Sequence, residues 1–192
     1  TGLINGDADL GLDKTEDAAI VAQLNKVAAM WATFNESIQK VVAGDTSAAT
    51  LQAIADQNVP LLKEMNAAVQ MYAKASGSSL EKGMATTINL AGKQRMLTQK
   101  MTKELLLVAN GIDADASKAS LAKTVALFEK TLTGLIKGDA DLGLPATTDK
   151  DILAQLGKVE ALWADYKPVL DSVDISEAGL QSAAAKNLPL LK

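Results

Sequence analysis

Apolar residues recur at steps of three and four along most of the chain, the spacing of one face of an α-helix. The clearest stripe consists of Ile20, Leu24, Val27, Trp31, Phe34, Ile38 and Val41. Similar stripes predict helices over residues 15–42, 47–75, 86–108, 117–136, 150–173 and 176–192. No run alternates apolar and polar residues with β-branched side chains, as a half-buried strand does. The pattern therefore predicts an all-α protein without a sheet, in which Trp31 is a packing residue of its stripe.

Turn signals divide these helices. Gly6 ends a short helix at residues 1–5, and Asn110-Gly111 is a strong C-terminal capping pair. The serine-rich segment 76–79 interrupts the apolar pattern, and Ser78 with Glu81 has the spacing of a capping box. A single glycine does not guarantee the end of a helix, so the helix before this segment and the helix after it are either separate or joined with a bend.

A long internal repeat decides the predicted architecture. TGLINGDADLGL at 1–12 returns as TGLIKGDADLGL at 133–144, and AQLNKVAAMW at 22–31 returns at the same offset as AQLGKVEALW. After a three-residue gap, NVPLLK at 58–63 returns as NLPLLK at 187–192. The repeat predicts tandem antiparallel bundles, four-helix modules that share long helices. Residues 1–76 would be the C-terminal part of a first module, and residues 77–192 a second module truncated in its last helix.

Composition excludes several function classes. The chain has no His and no Cys, and no nucleophile motif, phosphate loop or cluster of metal ligands stands out, so we predict no enzyme, cofactor or metal. Asp7, Asp9 and Gly11 resemble the opening of a calcium loop, but a third ligand position and the closing Glu are missing. A net charge of -4 without a basic patch argues against nucleic acid. No apolar run reaches the ~18 residues of a membrane span, and no signal peptide begins the sequence.

Arg95 is the one arginine in the chain, and its helix face is unusual. On a helical wheel the core stripe of residues 86–108 is opposed by a mixed face of small, apolar and polar residues: Ile88, Ala91, Gly92, Arg95, Gln99, Thr102 and Leu106. Glycine inside a helix costs about 1 kcal/mol relative to alanine, and close approach of another helix commonly offsets that cost. The alternative is a surface helix whose arginine extends into water.

The segment INLAGKQRMLTQKM resembles the signature helix of the PilJ-type sensor domain, the N-terminal domain of type IV pilus methyl-accepting transducers. The matching positions are Asn89, Ala91, Gly92, Gln94, Arg95, Met96, Leu97 and Gln99, whereas Lys93 and Thr98 replace the usual Arg and Ser. The same helix is similar to the ligand-reading helix of nitrate and nitrite sensor kinases. Segments 149–163 and 58–72 also look like the third and fourth helices of the PilJ-type domain.

The resemblance implies an extracytoplasmic, periplasmic sensor module of a membrane-anchored receptor for chemotaxis or another signalling output. It implies a homodimer formed through the signature helix, with Gly92 and Arg95 facing a small anion such as nitrate between the subunits. Asn89 is a further candidate ligand-binding residue of the motif, and Gln99, one turn beyond Arg95, is a candidate donor. The alternative is a structural or assembly-forming helical repeat without a small-molecule ligand, because near-identical modules in series also form spacers.

Overall fold

The computed structural model describes residues 2–75 and 82–191. Its elements are α1 (Gly2–Asn5), α2 (Ala18–Val42), α3 (Ala48–Ala75), α4 (Lys82–Ala109), α5 (Ala114–Lys137), α6 (Lys150–Asp171), α7 (Glu177–Asn187) and a short 3₁₀ helix, η1 (Leu188–Leu191). No strand occurs within these residues, and the predicted all-α class is confirmed. None of the described helices combines the length and the apolar character that a membrane span requires.

The chain forms two compact units, residues 1–79 and residues 80–192, which we call the N-terminal and C-terminal units. In the N-terminal unit α2 and α3 pack as a helical pair, and α1 contacts α2. Its small core contains Ile20, Leu24 and Ala68, with Tyr72 partly buried against them. The segment 76–79, the capping box of Ser78 and Glu81, and the continuity of the helix across them lie outside the described residues.

The C-terminal unit packs α4, α5, α6 and α7 around a larger apolar core. Its buried members are Leu97, Met101, Leu105, Leu121, Val125, Phe128, Leu132, Trp163, Tyr166, Leu170, Ala183 and Leu190. The rings of Phe128 and Trp163 pack in a tilted arrangement, with an interplanar angle of 38° and centroids 4.4 Å apart. Burying each large apolar side chain contributes roughly 1.5–3 kcal/mol. Three of these core residues, Leu97, Met101 and Leu105, belong to the predicted core stripe of the signature helix, which is α4 in the structure.

Helix ends follow local chemistry. The stripe over 15–42 predicts a start at residue 15, but α2 begins at Ala18 because Asp17 caps it, its carboxylate accepting from the N–H groups of Ala19 and Ile20 at 2.8 and 3.1 Å. Asp149 caps α6 in the same way. The predicted end of α4 at Asn110-Gly111 is confirmed, since Gly111 has a φ of +69° and the chain turns there.

The prediction of one continuous helix over 176–192 is wrong at its C-terminal end. The α-helix α7 ends at Asn187, and the chain continues as the 3₁₀ turn η1, which contains Pro189. Proline has no N–H to donate to an α-helix. The related segment of α3 nevertheless stays α-helical through Pro60 and continues against α2. Neighbouring structure, not the proline alone, decides between the two conformations.

The two acidic loops have the same closed form. Asp7 and Leu12 pair through their backbones, and so do Asp139 and Leu144. The Asp7 carboxylate accepts from the Leu10 N–H at 3.1 Å, and the Asp139 carboxylate accepts from the Leu142 N–H at 3.0 Å. In both loops the first aspartate therefore stabilises its own turn by accepting a backbone hydrogen bond.

Candidate functional site

The four candidate ligand-binding residues lie along one side of α4, and all four are exposed. Asn89, Gly92, Arg95 and Gln99 occupy three turns of the helix, over an axial distance of about 15 Å. Apolar side chains on α4 are also exposed, with 52% of Met84, 56% of Ile88 and 45% of Leu106 open to solvent. Within the described residues of the C-terminal unit, the mixed face predicted from the sequence is therefore largely exposed, and we call it the α4 face.

Gly92 has no packing role within its own unit. A Cβ atom added at this position meets no other atom within 4 Å among the described residues. By contrast, a Cβ at Gly134 of α5 would lie 2.9 Å from the Leu144 side chain. The helix thus carries the conformational cost of glycine at Gly92 without an intramolecular contact that requires it.

Arg95 projects from the α4 face, and none of the described hydrogen bonds or ion pairs involves its guanidinium group. Guanidinium presents parallel donors that match a planar carboxylate or oxyanion. The basic residues of α4 are Lys82, Lys93, Arg95, Lys100 and Lys103, against one acid, Glu104. In a chain of net charge -4, α4 is therefore a locally cationic element.

One of these positive charges is neutralised by an ion pair inside the C-terminal unit. Lys100 is ion-paired with the buried carboxylate of Glu104, and its ammonium also donates to Thr124 Oγ1 at 2.6 Å and to Ser120 Oγ at 3.1 Å. Ser120 in turn donates to Glu104. Burial lowers the pKa of Lys103, opposed by the charge of Glu104. This cluster ties α4 to α5, and both of its lysines are less exposed than Arg95.

Gln99 is already engaged within the C-terminal unit. Its amide Nε2 donates to Asn187 Oδ1 at 2.8 Å, and Asn187 Nδ2 donates to Thr102 Oγ1 at 2.6 Å. The Thr102 hydroxyl also contacts the Tyr166 hydroxyl at 2.7 Å. The network joins the α4 face to the end of α7 and to α6. Gln99 retains a second amide hydrogen for a ligand, but its orientation is set by Asn187.

A cavity of about 210 Å³ lies beside Arg95 in the C-terminal unit. Its walls are mostly apolar: Ala91, Phe128, Leu132, Leu135, Leu156, Val159, Leu190 and Leu191, with the polar Gln94, Arg95 and Gln155. The Gln94 amide donates to the Phe128 carbonyl at 3.3 Å, while its buried Oε1 has no partner among the described atoms. The unpartnered Gln94 oxygen is an acceptor and does not suit an anion, whereas Arg95 and Gln155 on the same wall carry donors.

The sequence predicted the exposed residues of the α4 face but did not single out the buried polar ones. Gln94 matched the motif without being assigned a role, and Glu104 and Asn187 were not candidates. Each is 9% exposed or less. Polar residues at core positions of a helical stripe are the signal that identifies them, because a buried polar group requires a partner.

Comparison with known proteins gives one family. Residues 78–189, more than half of the chain, match the PilJ family, described as the type IV pili methyl-accepting chemotaxis transducer N-terminal domain. The match includes the whole of α4 and the α4 face.

Two curated relatives carry similar segments. The methyl-accepting chemotaxis protein McpN of Pseudomonas aeruginosa is 41% identical over 87 residues, covering 45% of this chain and 16% of that protein. The putative methyl-accepting chemotaxis protein AlkN of Alcanivorax borkumensis is 24% identical over 166 residues, covering 84% of this chain and 23% of that protein. The chain thus spans less than a quarter of either relative.

Among solved structures, the chain is similar to the ligand-binding domain of the P. aeruginosa nitrate receptor McpN. It is 33% identical and covers 59% of this chain and 90% of that domain, with a TM-score of 0.47.

Proposed function

Because the chain belongs to the PilJ family, whose members are non-enzymatic sensor domains of chemotaxis transducers, we propose that it is an extracytoplasmic sensor module of a transmembrane receptor. In this proposal it dimerises through the α4 face and binds a small planar anion, nitrate in the first instance, between two copies of Arg95. The proposal places the module in the periplasm of a receptor anchored in the inner membrane.

The observation that carries the proposal is the juxtaposition of Gly92 and Arg95 on the α4 face. Gly92 leaves space for a second helix, and the exposed Ile88 and Leu106 offer apolar surface for it. Two arginines brought together across such an interface repel each other unless an anion lies between them. Nitrate fits because each guanidinium donates two parallel hydrogen bonds to coplanar oxygens. McpN, which shares 41% identity with this chain over 87 residues, is a nitrate receptor.

The dimer is tested by replacing Gly92. Gly92→Leu fills the space for a second helix without a clash inside the subunit, so we expect a folded protein that no longer associates in sedimentation equilibrium. Gly157→Leu is the matched control, since Gly157 is also exposed within a helix and has no atom near a built Cβ. Unchanged association of Gly92→Leu, or a monomeric parent protein at every accessible concentration, would contradict the dimer.

The ligand is tested by calorimetric titration with nitrate, nitrite, formate and acetate. Each charge-assisted hydrogen bond in a dry site contributes roughly 1.5–3 kcal/mol, so losing the pair from one arginine weakens binding by about one to two orders of magnitude. Arg95→Lys should fail nearly as badly as Arg95→Ala, because lysine retains the charge but not the two parallel donors.

Lys118→Ala provides the control for charge alone, since Lys118 is an exposed lysine on α5 and not on α4. It should bind nitrate like the parent protein. If a dimeric parent protein gives no binding heat with any of the four anions, Arg95 has another role. An ion pair with a carboxylate of the second subunit would give that result.

A further inference from the structure

Asn187 is a buried amide at the end of α7, and both halves of it are hydrogen-bonded to α4. Its side chain is 5% exposed. Its Oδ1 accepts from Gln99 Nε2 at 2.8 Å, and its Nδ2 donates to Thr102 Oγ1 at 2.6 Å. Gln99 is itself exposed on the α4 face, one turn of helix beyond Arg95. Asn187 therefore connects the interior of the C-terminal unit to the face that carries the proposed anion site.

A backbone carbonyl fixes the direction of donation through these groups. The Thr102 hydroxyl has one hydrogen, which it donates to the Thr98 carbonyl oxygen at 3.2 Å. Its oxygen is therefore an acceptor for Asn187, which has to turn its amide nitrogen toward Thr102 and its amide oxygen toward Gln99. Gln99 in turn has to present its amide nitrogen to that oxygen. This nitrogen keeps one further hydrogen, which is available to an anion.

The repeat shows that the network belongs to the copy that contains α4. Asn187 recurs as Asn58, within the segments NLPLLK and NVPLLK. Tyr166, whose hydroxyl lies 2.7 Å from that of Thr102, recurs as Phe34, which has no hydroxyl. The additional hydroxyl is thus present in the copy in which α4 provides a partner for it.

The other buried residues of α7 are small. The residues that α7 buries are Gly179, Ala183 and Asn187, and Leu180 is partly buried against the core. Burial of an apolar face supplies most of the stability of a helix inside a protein, and glycine and alanine bury little apolar area. Among the buried residues of α7, Asn187 is therefore the one whose side chain fixes the helix on α4 through directional bonds.

The turn that leads into α7 is strained. The same Asp-x-Ser turn precedes α3 and α7, and in each the aspartate carboxylate accepts from the serine N–H, at 2.9 and 3.0 Å. The residue before the aspartate is Gly44 in one turn and Val173 in the other, with φ values of +95° and +48°. A β-branched residue in this left-handed region is a steric outlier, whereas glycine is not. A displacement of α7 that releases Val173 from this region relieves the strain, and the hydrogen bonds of Asn187 oppose it.

We propose that Asn187 couples the anion site to α7. It orients Gln99 so that the remaining N–H of that amide donates to the anion beside Arg95, and the anion, by holding Gln99, fixes α7 on α4 in return. Coupling between two sites acts by the same factor in both directions. The inference rests on the proposed anion site and adds to it a positioning residue, Asn187, and a second element that responds to the ligand.

Calorimetric titration with nitrate tests the first direction. Asn187→Leu keeps the size of the buried side chain but removes both hydrogen bonds, and we expect it to weaken nitrate binding about tenfold, the value of one charge-assisted hydrogen bond. Gln99→Ala should weaken binding by the same factor. The double variant should bind no more weakly than Gln99→Ala, because Asn187 acts through Gln99. Parental affinity in Asn187→Leu, or losses that add in the double variant, would overturn the proposal.

Hydrogen exchange measured by mass spectrometry tests the second direction. Saturating nitrate should slow amide exchange in α7 of the parent protein by about the same tenfold factor, as reciprocity requires. In Gln99→Ala, which changes an exposed residue and leaves the core intact, saturating nitrate should leave exchange in α7 unchanged. An α7 that does not respond in the parent protein, or that responds equally in Gln99→Ala, would contradict the coupling.

Asn58→Leu is the matched control, since Asn58 holds the equivalent position in the N-terminal unit. It should bind nitrate like the parent protein, and an equal loss in this variant would show a general effect of the substitution and overturn the coupling. A parent protein that binds no anion would overturn the proposed function and this inference together. A parent protein that binds nitrate, with Asn187→Leu at the same affinity, would overturn this inference alone.

Discussion

At the scale of the residue, the hydroxyl of Tyr166 joins α6 to a buried hydrogen-bond network. Tyr166 is fully buried, and its hydroxyl lies 2.7 Å from that of Thr102, within the network that reaches Asn187 and Gln99. Its counterpart in the repeat is Phe34. Burial raises the pKa of the Tyr166 phenol, and the hydrogen bond between the Tyr166 and Thr102 hydroxyls opposes that shift. The folded protein therefore holds this phenol neutral above its ordinary pKa of about 10.

Replacing this hydroxyl should lower stability modestly. We expect Tyr166→Phe to reduce the free energy of unfolding in urea by about 0.5–1.5 kcal/mol, the net value of one hydrogen bond. Thr102 remains partnered by the Thr98 carbonyl and by Asn187, which keeps the loss small. Phe34→Tyr is the reciprocal variant. A loss well above this range in Tyr166→Phe would mean that the Asn187 network collapses with it.

The raised pKa of Tyr166 also predicts a pH dependence. The unfolded phenol ionises near pH 10, before the folded one. The stability that Tyr166 contributes is thus complete below about pH 10 and is lost as the pH rises from there through the higher folded pKa. The difference in unfolding free energy between the parent protein and Tyr166→Phe, measured across this range, should shrink with increasing pH. A difference that stays constant would contradict the shift.

At the scale of the element, capping and tertiary packing decide different properties of a helix. Asp17 and Asp149 set the starts of α2 and α6 through their own carboxylates. Two nearly identical segments adopt different conformations. NVPLLK at 58–63 is α-helical through Pro60, whereas NLPLLK at 187–192 forms a 3₁₀ helix at residues 188–191. Side-chain capping acts within one turn, whereas the conformation around a proline depends on what packs beside it.

Removing one cap should affect its own helix by a known amount. Asp149→Ala leaves the N–H groups of Asp151 and Ile152 without their acceptor, and we expect a loss of about 1 kcal/mol in unfolding free energy. Asp165→Ala, an exposed acid inside α6, should shift stability by less than about 0.5 kcal/mol. Equal losses in the two variants would show that general charge, and not the cap, is responsible.

At the scale of the whole molecule, the repeat contains one tryptophan per unit in two different environments. Trp163 is 5% exposed and packs against Phe128 of α5. Trp31 is 52% exposed and borders an open groove of about 320 Å³ with Val27 and Leu61. Trp31 packs against Phe34, with ring centroids 5.9 Å apart, as its place on the stripe predicts. It stays half exposed because no helix equivalent to α5 covers it among the described residues.

Fluorescence quenching should distinguish the two tryptophans. In Trp31→Phe the remaining emission comes from buried Trp163, so we expect acrylamide to quench it several-fold less than the parent protein. The exposed residue accounts for most of the quenching in the parent protein. Similar quenching of both proteins would mean that Trp31 is shielded in solution, as it would be if another helix occupied its groove.

The sequence by itself determined the helical class, the repeat, the core stripe of α4 and the position of Gly92 and Arg95 on the face opposite that stripe. These properties follow from periodicity and from the identity of single residues, which act over one or two turns of helix. The motif around Arg95 was also sufficient to indicate the family.

Tertiary structure alone decided which copy of each repeated surface is covered. Ile20 and Ile152, or Trp31 and Trp163, stand in nearly the same local sequence but differ in exposure. It also decided that Gln99 is held by Asn187, which lies 88 residues away along the chain. The physical reason is that burial and side-chain pairing depend on helices brought together from distant parts of the sequence, whereas helical periodicity is a property of each segment alone.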